Sequence, residues 1–251
     1  MIHIRSPREV EKIRRSCRIV AETLQLVADK IKPGVTLIEL DTAAEAYIRR
    51  QKAEPGFKGL YGYPATLCIS IEDEVVHGIP NDTPLEEGQI VAIDVGARKD
   101  GYYGDHARTF AVGQIDESRW QLLTRTRECL DLGVSAAQAG ANVGDIGYAV
   151  QQHAESAGFG VVRELVGHGV GARLHEEPQI PNFGQTGFGA LLREGMCLAI
   201  EPMINMGVKD VYTRDDGWTV CTADGKPSAH FEHTIVITAN GPEVLTEYET
   251  N

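Results

Sequence analysis

The 251-residue sequence predicts an α+β fold in which outer helices cover antiparallel sheet and two similar halves face each other. Helical patterns come first and strand patterns second, and this order occurs twice along the chain. A segment ending in Ala-Ile-Asp94 also recurs 107 residues later as a segment ending in Ala-Ile-Glu201. We therefore expect one domain over residues 1–251, made of halves 1–113 and 114–251, with any site between them.

Two helices are expected at the start of the first half. Ser6-Pro7 begins the first helix, whose apolar residues recur at spacings of three and four. Thr36 begins the second, and Glu39 three positions later completes a capping box. The expected buried positions are Val10, Ile13, Cys17, Val20, Leu24 and Val27, then Leu37, Leu40, Ala44 and Ile48.

The second half repeats this arrangement. Asn142 and Asp145 mark the start of a short helix with the same cap spacing. A longer helix before it has a weaker apolar stripe. The expected buried positions are Leu123, Leu130, Val134 and Ala137, then Val143, Ile146, Val150 and Ala154.

Acidic residues accompany the predicted strands. Residues 90–110 are expected to form a hairpin that turns around Lys99-Asp100-Gly101 and places Asp94 directly opposite Asp105. In the second half, Glu201 ends one apolar strand and Glu232 stands at the edge of another. Buried carboxylates are costly unless they are neutralised, and divalent cations commonly neutralise them.

Histidines accompany these acids. His168 lies between glycines, which allow the backbone to approach a site closely. Four carboxylates and one imidazole suit a dinuclear site for Mn²⁺, Fe²⁺, Co²⁺ or Zn²⁺. His77 and His175 each begin a His-x-x-Pro segment, one per half, and are predicted to contact substrate. His106 and His233 are predicted to point away from the acids, and the remaining histidines, His3, His153 and His230, to be surface or helix residues.

Composition narrows the classes of protein. The net charge of −12 argues against nucleic acid or an anionic membrane as a partner. Five cysteines without Cys-x-x-Cys spacing, and a charged start without an apolar segment, predict a cytoplasmic protein.

Taken together, the motifs resemble those of type I methionine aminopeptidases in their short bacterial form, over almost the whole chain. The motifs are His77-Gly-Ile-Pro, Ile-Asp94-Val, Gly-Asp105, Gly-His168-Gly-Val-Gly, His175-Glu-x-Pro, Ile-Glu201-Pro-Met, Asp216-Gly-Trp-Thr and Glu232-His-Thr-Ile. The resemblance implies the pita-bread fold, removal of N-terminal methionine by an activated water, and two divalent metal ions. It also implies nascent polypeptides as partners, the ribosome as a candidate partner, and a monomer.

The same resemblance assigns roles to individual residues. Asp94 would bind one ion, His168 and Glu201 the other, and Asp105 and Glu232 both. Glu201 would also act as general base or acid, His175 would contact the scissile peptide, and His77 would position substrate. The pocket for the methionine side chain would be formed by Tyr63, Cys68, Met203 and Trp218.

Four departures from the family pattern concern the surroundings of the site. Leu60-Tyr61 stands where Tyr-His is usual, Leu174 where an aromatic residue precedes the histidine, Ala199 where threonine is usual, and His106 where a small hydroxyl residue is common. The leucines alter the expected shape of the pocket, and Ala199 alters support for Glu201. No metal ligand is lost.

Three other functions remain open at this point. A prolidase or aminopeptidase P shares such ligands, but in a longer protein with an N-terminal domain. A binding protein on the same fold would be expected to lose ligands. A dinuclear phosphoesterase would need a basic clamp beside the acids, which the sequence does not offer.

Overall fold

Four α-helices and fifteen short or medium strands make up the computed structural model, which describes residues 1–247. The helices are α1 Pro7–Ala28, α2 Leu37–Arg50, α3 Glu117–Ala136 and α4 Val143–Ser156. A mixture of outer helices and antiparallel sheet confirms the predicted fold class. None of these helices combines the length and the apolar composition that a membrane span requires within residues 1–247.

Three of the helices begin at the predicted caps. The side chain of the acid three residues on accepts the backbone N–H of the cap residue, at 2.9 Å for Ser6, 2.8 Å for Thr36 and 2.7 Å for Asn142. Helix α3 begins after Asp116, whose carboxylate accepts the N–H of Arg119 at 2.8 Å. The predicted apolar positions are buried in all four helices, except that Val10 is half-buried and Ala137 lies one residue beyond the end of α3.

The strands pair with one another in antiparallel fashion. They are β1 Glu54–Pro55, β2 Leu67–Ile71, β3 Glu74–Val76, β4 Ile90–Lys99, β5 Tyr102–Ala111, β6 Gly160–Val161, β7 Gly167–Gly169, β8 Glu176–Ile180, β9 Cys197–Ile200, β10 Met203–Asn205, β11 Val211–Thr213, β12 Val220–Thr222, β13 Ser228–His230, β14 His233–Thr238 and β15 Gly241–Val244.

Two larger sheets carry the repeated segments. In the first, β4 is central, with β1 and β2 along one side and β5 along the other. In the second, the order is β15-β14-β9-β7-β8. Two three-stranded sheets, β13-β10-β6 and β11-β12-β3, complete the structure described for residues 1–247.

Each pair of helices packs on its own apolar core. One core joins α1 and α2 to β2 and β4, and includes Leu24, Leu40, Ile48, Ile69 and Ile93. The other joins α3 and α4 to the strands of the second half, and includes Leu130, Ile146, Val150, Leu198 and Ile235. This distribution agrees with a two-part plan, and the division at residues 113 and 114 stays a prediction.

The β4–β5 hairpin forms as expected, but its predicted register is wrong by two residues. Lys99 pairs with Tyr102, so the loop contains only Asp100 and Gly101, with φ angles of 51° and 84°. Two central residues with positive φ define the type I′ turn that suits a tight hairpin. As a result, Asp94 lies opposite Ala107, and Asp105 lies opposite Gly96.

Hydrogen bonds between β5 and β14 join the two halves beside these acids. The Thr234 hydroxyl donates to the carbonyl of Asp105 at 2.8 Å and accepts the N–H of Asp105 at 3.2 Å. The N–H of Glu232 donates to the carbonyl of Ala107 at 2.9 Å. Acids from different halves are therefore held at fixed separations.

Candidate metal centre and substrate cavity

Asp94 and Asp105 come from neighbouring strands of the first half. In an antiparallel pair, a residue and the one two positions away from its partner share a face, so Asp94 and Asp105 are diagonal neighbours on one face of the hairpin. The register error therefore changes which residues face each other but keeps the two carboxylates on the same side. Asp105 is buried, with 3% of its surface exposed.

His168, Glu201 and Glu232 come from three adjacent strands of the second half. His168 lies in β7 and pairs with Ala199 of β9, while β14 flanks the other side of β9. Glu201 follows the last residue of β9, and Glu232 precedes the first residue of β14. Because His233 pairs with Ile200, the two glutamates leave the sheet side by side.

These strands bring one imidazole and four carboxylates together. His168 Nε2 lies 3.4 Å from Glu201 Oε1 and 3.7 Å from Asp105 Oδ2. One ligand atom each from Asp105, His168 and Glu232 falls within a 4.8 Å cluster. The predicted ligand set thus converges on a single place between the halves.

Several oxygen atoms at this place have no hydrogen-bond partner among the described residues. They are buried and belong to three of the acids: Asp94 Oδ1, Asp105 Oδ1 and Glu232 Oε1. A buried acceptor without a partner is strongly unfavourable, and several in one cluster indicate that a cation belongs there. The donor set and its geometry fit divalent metal ions.

Burial dominates the electrostatics of the cluster. It raises the pKa of Asp94 to about 8. Burial, followed by the charges of neighbouring acids, raises the pKa of Asp105, Glu201 and Glu232 well above the usual range of a carboxyl group. The cluster therefore holds protons when no cation is bound and must release protons to bind one.

His168 has the protonation that a metal ligand needs. Burial, followed by the charge of His175, lowers the pKa of His168 to about 3, so the ring is neutral near pH 7. Its Nδ1 lies 2.9 Å from the carbonyl oxygen of Gly169, which can only accept a hydrogen bond. The proton is therefore on Nδ1, and the lone pair of Nε2 faces the acids.

An open cavity, with about 600 Å³ of empty space that includes solvent at its mouth, adjoins the cluster. The acids and His168 form its floor, and its walls are mainly aromatic or apolar. The wall residues are Phe57, Leu60, Tyr61, Tyr63, Cys68, His77, Leu174, His175 and Trp218. A cavity lined by both charged and apolar groups suits a substrate that has a polar part and an apolar part.

The walls are held rigidly. The Tyr63 hydroxyl lies 2.8 Å from the carbonyl oxygen of Gly78 and 2.9 Å from that of Leu67. The rings of Tyr63 and Trp218 meet edge to face at 5.0 Å. Cys68 pairs with Asp94 across the strands and so connects the cavity wall to the cluster.

The position of Met203 does not support its predicted place in the side-chain pocket. Met203 is fully buried in a separate apolar cluster with Val75, Val76, Val162 and Val220. It is not among the described residues that line the cavity. Phe57, which the sequence reasoning did not single out, lines the cavity instead.

His77 and His175 stand at the cavity beside the metal ligands. The His175 ring lies edge-on to His168 at 4.5 Å, and Tyr61 stacks against it at 6.0 Å. Burial, followed by the charge of His175, lowers the pKa of His77 to about 4, and burial also lowers the pKa of His175. Both rings are therefore neutral near pH 7 and can donate a hydrogen bond without adding positive charge.

The other histidines are distributed differently. His106 and His233 stack on each other at 4.9 Å and are not among the described residues that line the substrate cavity, in agreement with a structural role. His153 lies on α4 near Glu128. The prediction for His230 is wrong: this residue is 2% exposed, and its Nε2 lies 3.7 Å from Glu201 Oε2.

Comparison with known proteins gives consistent results. The model of metallopeptidase family M24 matches residues 11–239. A methionine aminopeptidase of Clostridium perfringens is 49% identical over 98% of this chain and 99% of its own length. Methionine aminopeptidase 1 of Bacillus subtilis is 48% identical over the same shares.

Solved structures give the same result. The methionine aminopeptidase of Thermotoga maritima superposes with a TM-score of 0.97 at 45% identity, covering 99% of this chain and 100% of that one. A prolidase of Pyrococcus furiosus superposes with a TM-score of 0.81 at 26% identity, covering 98% of this chain and 66% of that one.

Proposed function

The chain belongs to metallopeptidase family M24, and we propose that it hydrolyses the first peptide bond of polypeptides that begin with methionine. One observation carries this proposal: a cluster of four carboxylates and one imidazole forms the floor of a cavity with apolar walls. The methionine side chain would occupy the apolar part, which brings the following peptide bond over the cluster.

The cluster would bind two divalent cations. Asp94 would bind one ion, His168 and Glu201 the other, and the carboxylates of Asp105 and Glu232 would contact both. The unpartnered oxygens of Asp94, Asp105 and Glu232 support this assignment. Oxygen donors with a single imidazole suit Co²⁺, Mn²⁺, Fe²⁺ or Zn²⁺.

When bound, such cations lower the pKa of a coordinated water and polarise the carbonyl of the scissile bond. Glu201 would accept the proton of the attacking water and then pass it to the leaving amine. His175, neutral near pH 7, would donate a hydrogen bond to the carbonyl oxygen as negative charge develops there. His77 would position the substrate from the opposite wall.

The side-chain pocket would be formed by Tyr63, Cys68 and Trp218, together with Phe57, Leu60 and Leu174. A thioether is flexible and polarisable, and it packs well against aromatic rings and sulfur. The Tyr63 hydroxyl is occupied by backbone carbonyls, so the pocket presents the apolar face of that ring. N-terminal methionine is thereby preferred over polar residues.

The physiological substrates would be nascent polypeptides that still carry their first methionine. The relatives from Clostridium perfringens and Bacillus subtilis, which are named methionine aminopeptidases, support this substrate class. Docking on the ribosome and a monomeric state stay predictions.

An assay with three substrate classes tests the proposal. The protein, stripped of metal and then given Mn²⁺ or Co²⁺, is incubated with Met-Ala-Ser, Ala-Pro and p-nitrophenyl phosphate. We expect metal-dependent release of methionine from the first substrate and little turnover of the other two. Faster hydrolysis of Ala-Pro would instead make the protein a prolidase, in line with the fold that it shares with the Pyrococcus furiosus enzyme.

The phosphate ester is included because dinuclear clusters also hydrolyse phosphates. No lysine or arginine is among the described residues that line the cavity, so nothing there would bind the phosphate charge. Turnover of the ester faster than release of methionine would overturn the proposal.

A further inference from the structure

His230 lies beside Glu201 but is not among the described residues that line the substrate cavity. It ends β13, which pairs with β10 so that His230 stands opposite Met203, two residues after Glu201. Its Nε2 is 3.7 Å from Glu201 Oε2. The ring is 2% exposed and is not among the described residues that line the cavity.

The backbone of His230 is fixed from two sides. The hydroxyl of Thr109 accepts the N–H of His230 at 2.9 Å and donates to its carbonyl oxygen at 2.8 Å. Pairing with β10 holds the other side of the strand. The ring can therefore move little relative to Glu201, whose own carbonyl accepts the side-chain amide of Asn182 at 2.9 Å.

His230 Nε2 has no hydrogen-bond partner among residues 1–247, although it is buried. A neutral imidazole carries a single proton, which is on either Nδ1 or Nε2. Once Glu201 is ionised, as a metal ligand must be, a bare Nε2 would direct its lone pair at a carboxylate oxygen, which is repulsive. A proton on Nε2 turns the same contact into an attraction.

Glu201 thus lies between two imidazoles, and each imidazole is close to a different oxygen of its carboxylate. His168 donates its one ring proton from Nδ1 to the carbonyl oxygen of Gly169, so its unprotonated Nε2 lies 3.4 Å from Glu201 Oε1. A proton on His230 Nε2 would present a donor to Oε2. The lone pairs of His168 and of Oε1 are therefore left for a common cation.

We propose that His230 is a positioning residue for Glu201: its Nε2–H donates to Oε2 and keeps Oε1 directed to the metal beside His168. The proposal rests on the proposed function in that it takes Glu201 as a metal ligand. Hydrogen-bond partners of ligating side chains commonly change metal affinity or activity 10- to 100-fold when they are removed.

Two substitutions separate this role from simple packing. In His230→Gln, the amide nitrogen can take the place of Nε2 and keep a donor toward Oε2. In His230→Met, a side chain of similar size fills the space without a donor. His153→Met, the same exchange on helix α4, is the matched control.

Titration of the metal-free proteins with Mn²⁺ by calorimetry is the first measurement, because it does not depend on any peptidase activity. We expect His230→Met to weaken Mn²⁺ binding by about 10- to 100-fold, and His230→Gln and His153→Met to stay within about threefold of the wild type. With Met-Ala-Ser, kcat should fall in His230→Met while KM changes little, since His230 is not among the described residues that line the cavity.

Equal losses in His230→Met and His230→Gln would show that the ring acts by its shape, and unchanged Mn²⁺ affinity in His230→Met would show that it does not support Glu201. Either result overturns the proposal. If His230→Met does not fold, nitrogen NMR of the histidine-labelled wild type loaded with Zn²⁺, assigned with His230→Gln, is the test. Protonation at Nε2 is expected, and protonation at Nδ1 contradicts the proposal. A wild type that binds Mn²⁺ but fails to release methionine would count against the proposed function instead.

Discussion

At the scale of single residues, the position of the His175 ring is the first feature to consider. The His175 ring is held between His168 and Tyr61, and Tyr61 itself has a φ of 52° that bulky residues rarely adopt. Backbone strain of this kind is often found at functional sites. The contact with His168 gives the His175 ring a defined position beside the proposed metal ligands.

Replacement of this ring tests its role. We expect His175→Ala to lower kcat by about 10²-fold or more, the usual effect of removing one donor to a developing oxyanion. KM for Met-Ala-Ser should change much less. Steady-state kinetics at saturating Mn²⁺ give both values, and a variant in which only KM rises would show that His175 binds substrate without aiding the chemical step.

Leu60 and Leu174 contribute to the shape of the cavity and, in the proposed function, to that of the side-chain pocket. Both line the cavity, at positions where the family pattern has aromatic residues. A difference of one or two methylene contacts is worth about 1–3 kcal/mol in such a pocket. We therefore expect Leu60→Tyr with Leu174→Phe to sharpen the preference for methionine over leucine and norleucine.

The values of kcat/KM for Met-Ala, Leu-Ala and norleucine-Ala, measured on the wild type, both single variants and the double variant, test this expectation. Because the two side chains line one cavity, their effects can be coupled. Equal discrimination in the wild type and the double variant would mean that the two leucines do not affect the choice among these side chains.

At the scale of elements, the hairpin β4–β5 depends on its contact with α1. A Cβ atom added to Gly104 would lie 2.5 Å from the backbone nitrogen of Cys17 and 2.7 Å from the carbonyl carbon of Ser16. Backbone atoms cannot yield as a flexible side chain can, so Gly104→Ala should push α1 and β5 apart. Since Asp105 is the next residue, both stability and Mn²⁺ affinity should fall.

Gly101 in the hairpin loop is the matched control. Its φ is 84°, but a Cβ atom there would meet nothing within 4 Å. Gly101→Ala should therefore cost only the strain of a left-handed conformation, about 1–2 kcal/mol, and leave Mn²⁺ affinity unchanged. Urea denaturation and calorimetry measure both quantities, and similar Mn²⁺ affinities in the two variants would contradict the argument.

The elements also show what the sequence could predict. Helix caps and apolar spacing are local signals, so α1, α2 and α4 begin where Ser6, Thr36 and Asn142 indicate. The register of β4 and β5 was missed because the predicted turn was centred between Lys99 and Asp100, whereas Lys99 pairs with Tyr102 and the turn is centred between Asp100 and Gly101. A two-residue turn at Asp100-Gly101 is a signal that could have given the correct register.

The sequence predicted the candidate metal ligands but not the positions of all the residues around them. The repeated segments around Asp94 and Glu201, with His168 between glycines, predicted side chains that the fold brings together. Met203 lies elsewhere, because β10 directs it into a neighbouring apolar cluster. His230 was missed because a histidine in a short strand gives no sign of what its ring meets across the fold.

At the scale of the whole molecule, the buried carboxyl groups between the two halves keep their protons at a higher pH than ordinary carboxyl groups do. The pKa of Asp94 is about 8 in the folded protein without a cation, against about 4 for an ordinary aspartate. The stability that this group contributes is thus present below about pH 4 and is lost as the pH rises through about 8. Cation binding needs the ionised carboxylate, so the affinity for the cation should increase as the pH rises over the same range.

Calorimetry of Mn²⁺ binding in buffers with different ionisation enthalpies measures the proton count directly. We expect release of at least one proton near pH 7 and weaker binding at pH 6 than at pH 8. Binding without proton release near pH 7 would mean that the acids are already ionised in the metal-free protein.

The central claim is that acids from both halves share divalent cations and that peptide hydrolysis depends on them. Asp105 belongs to the first half and Glu232 to the second, and each has a buried oxygen without a partner among the described residues. Asp105→Ala and Glu232→Ala should therefore each remove bound metal and abolish release of methionine. Glu86→Ala, at an exposed acid in a turn, is the control and should behave as the wild type.

The most direct measurement is the number of Mn²⁺ ions bound per chain, determined together with methionine release on the same samples. We predict two ions and full activity in the wild type and in Glu86→Ala, and fewer ions with no activity in Asp105→Ala and in Glu232→Ala. Unchanged metal stoichiometry in both of these variants would contradict this prediction.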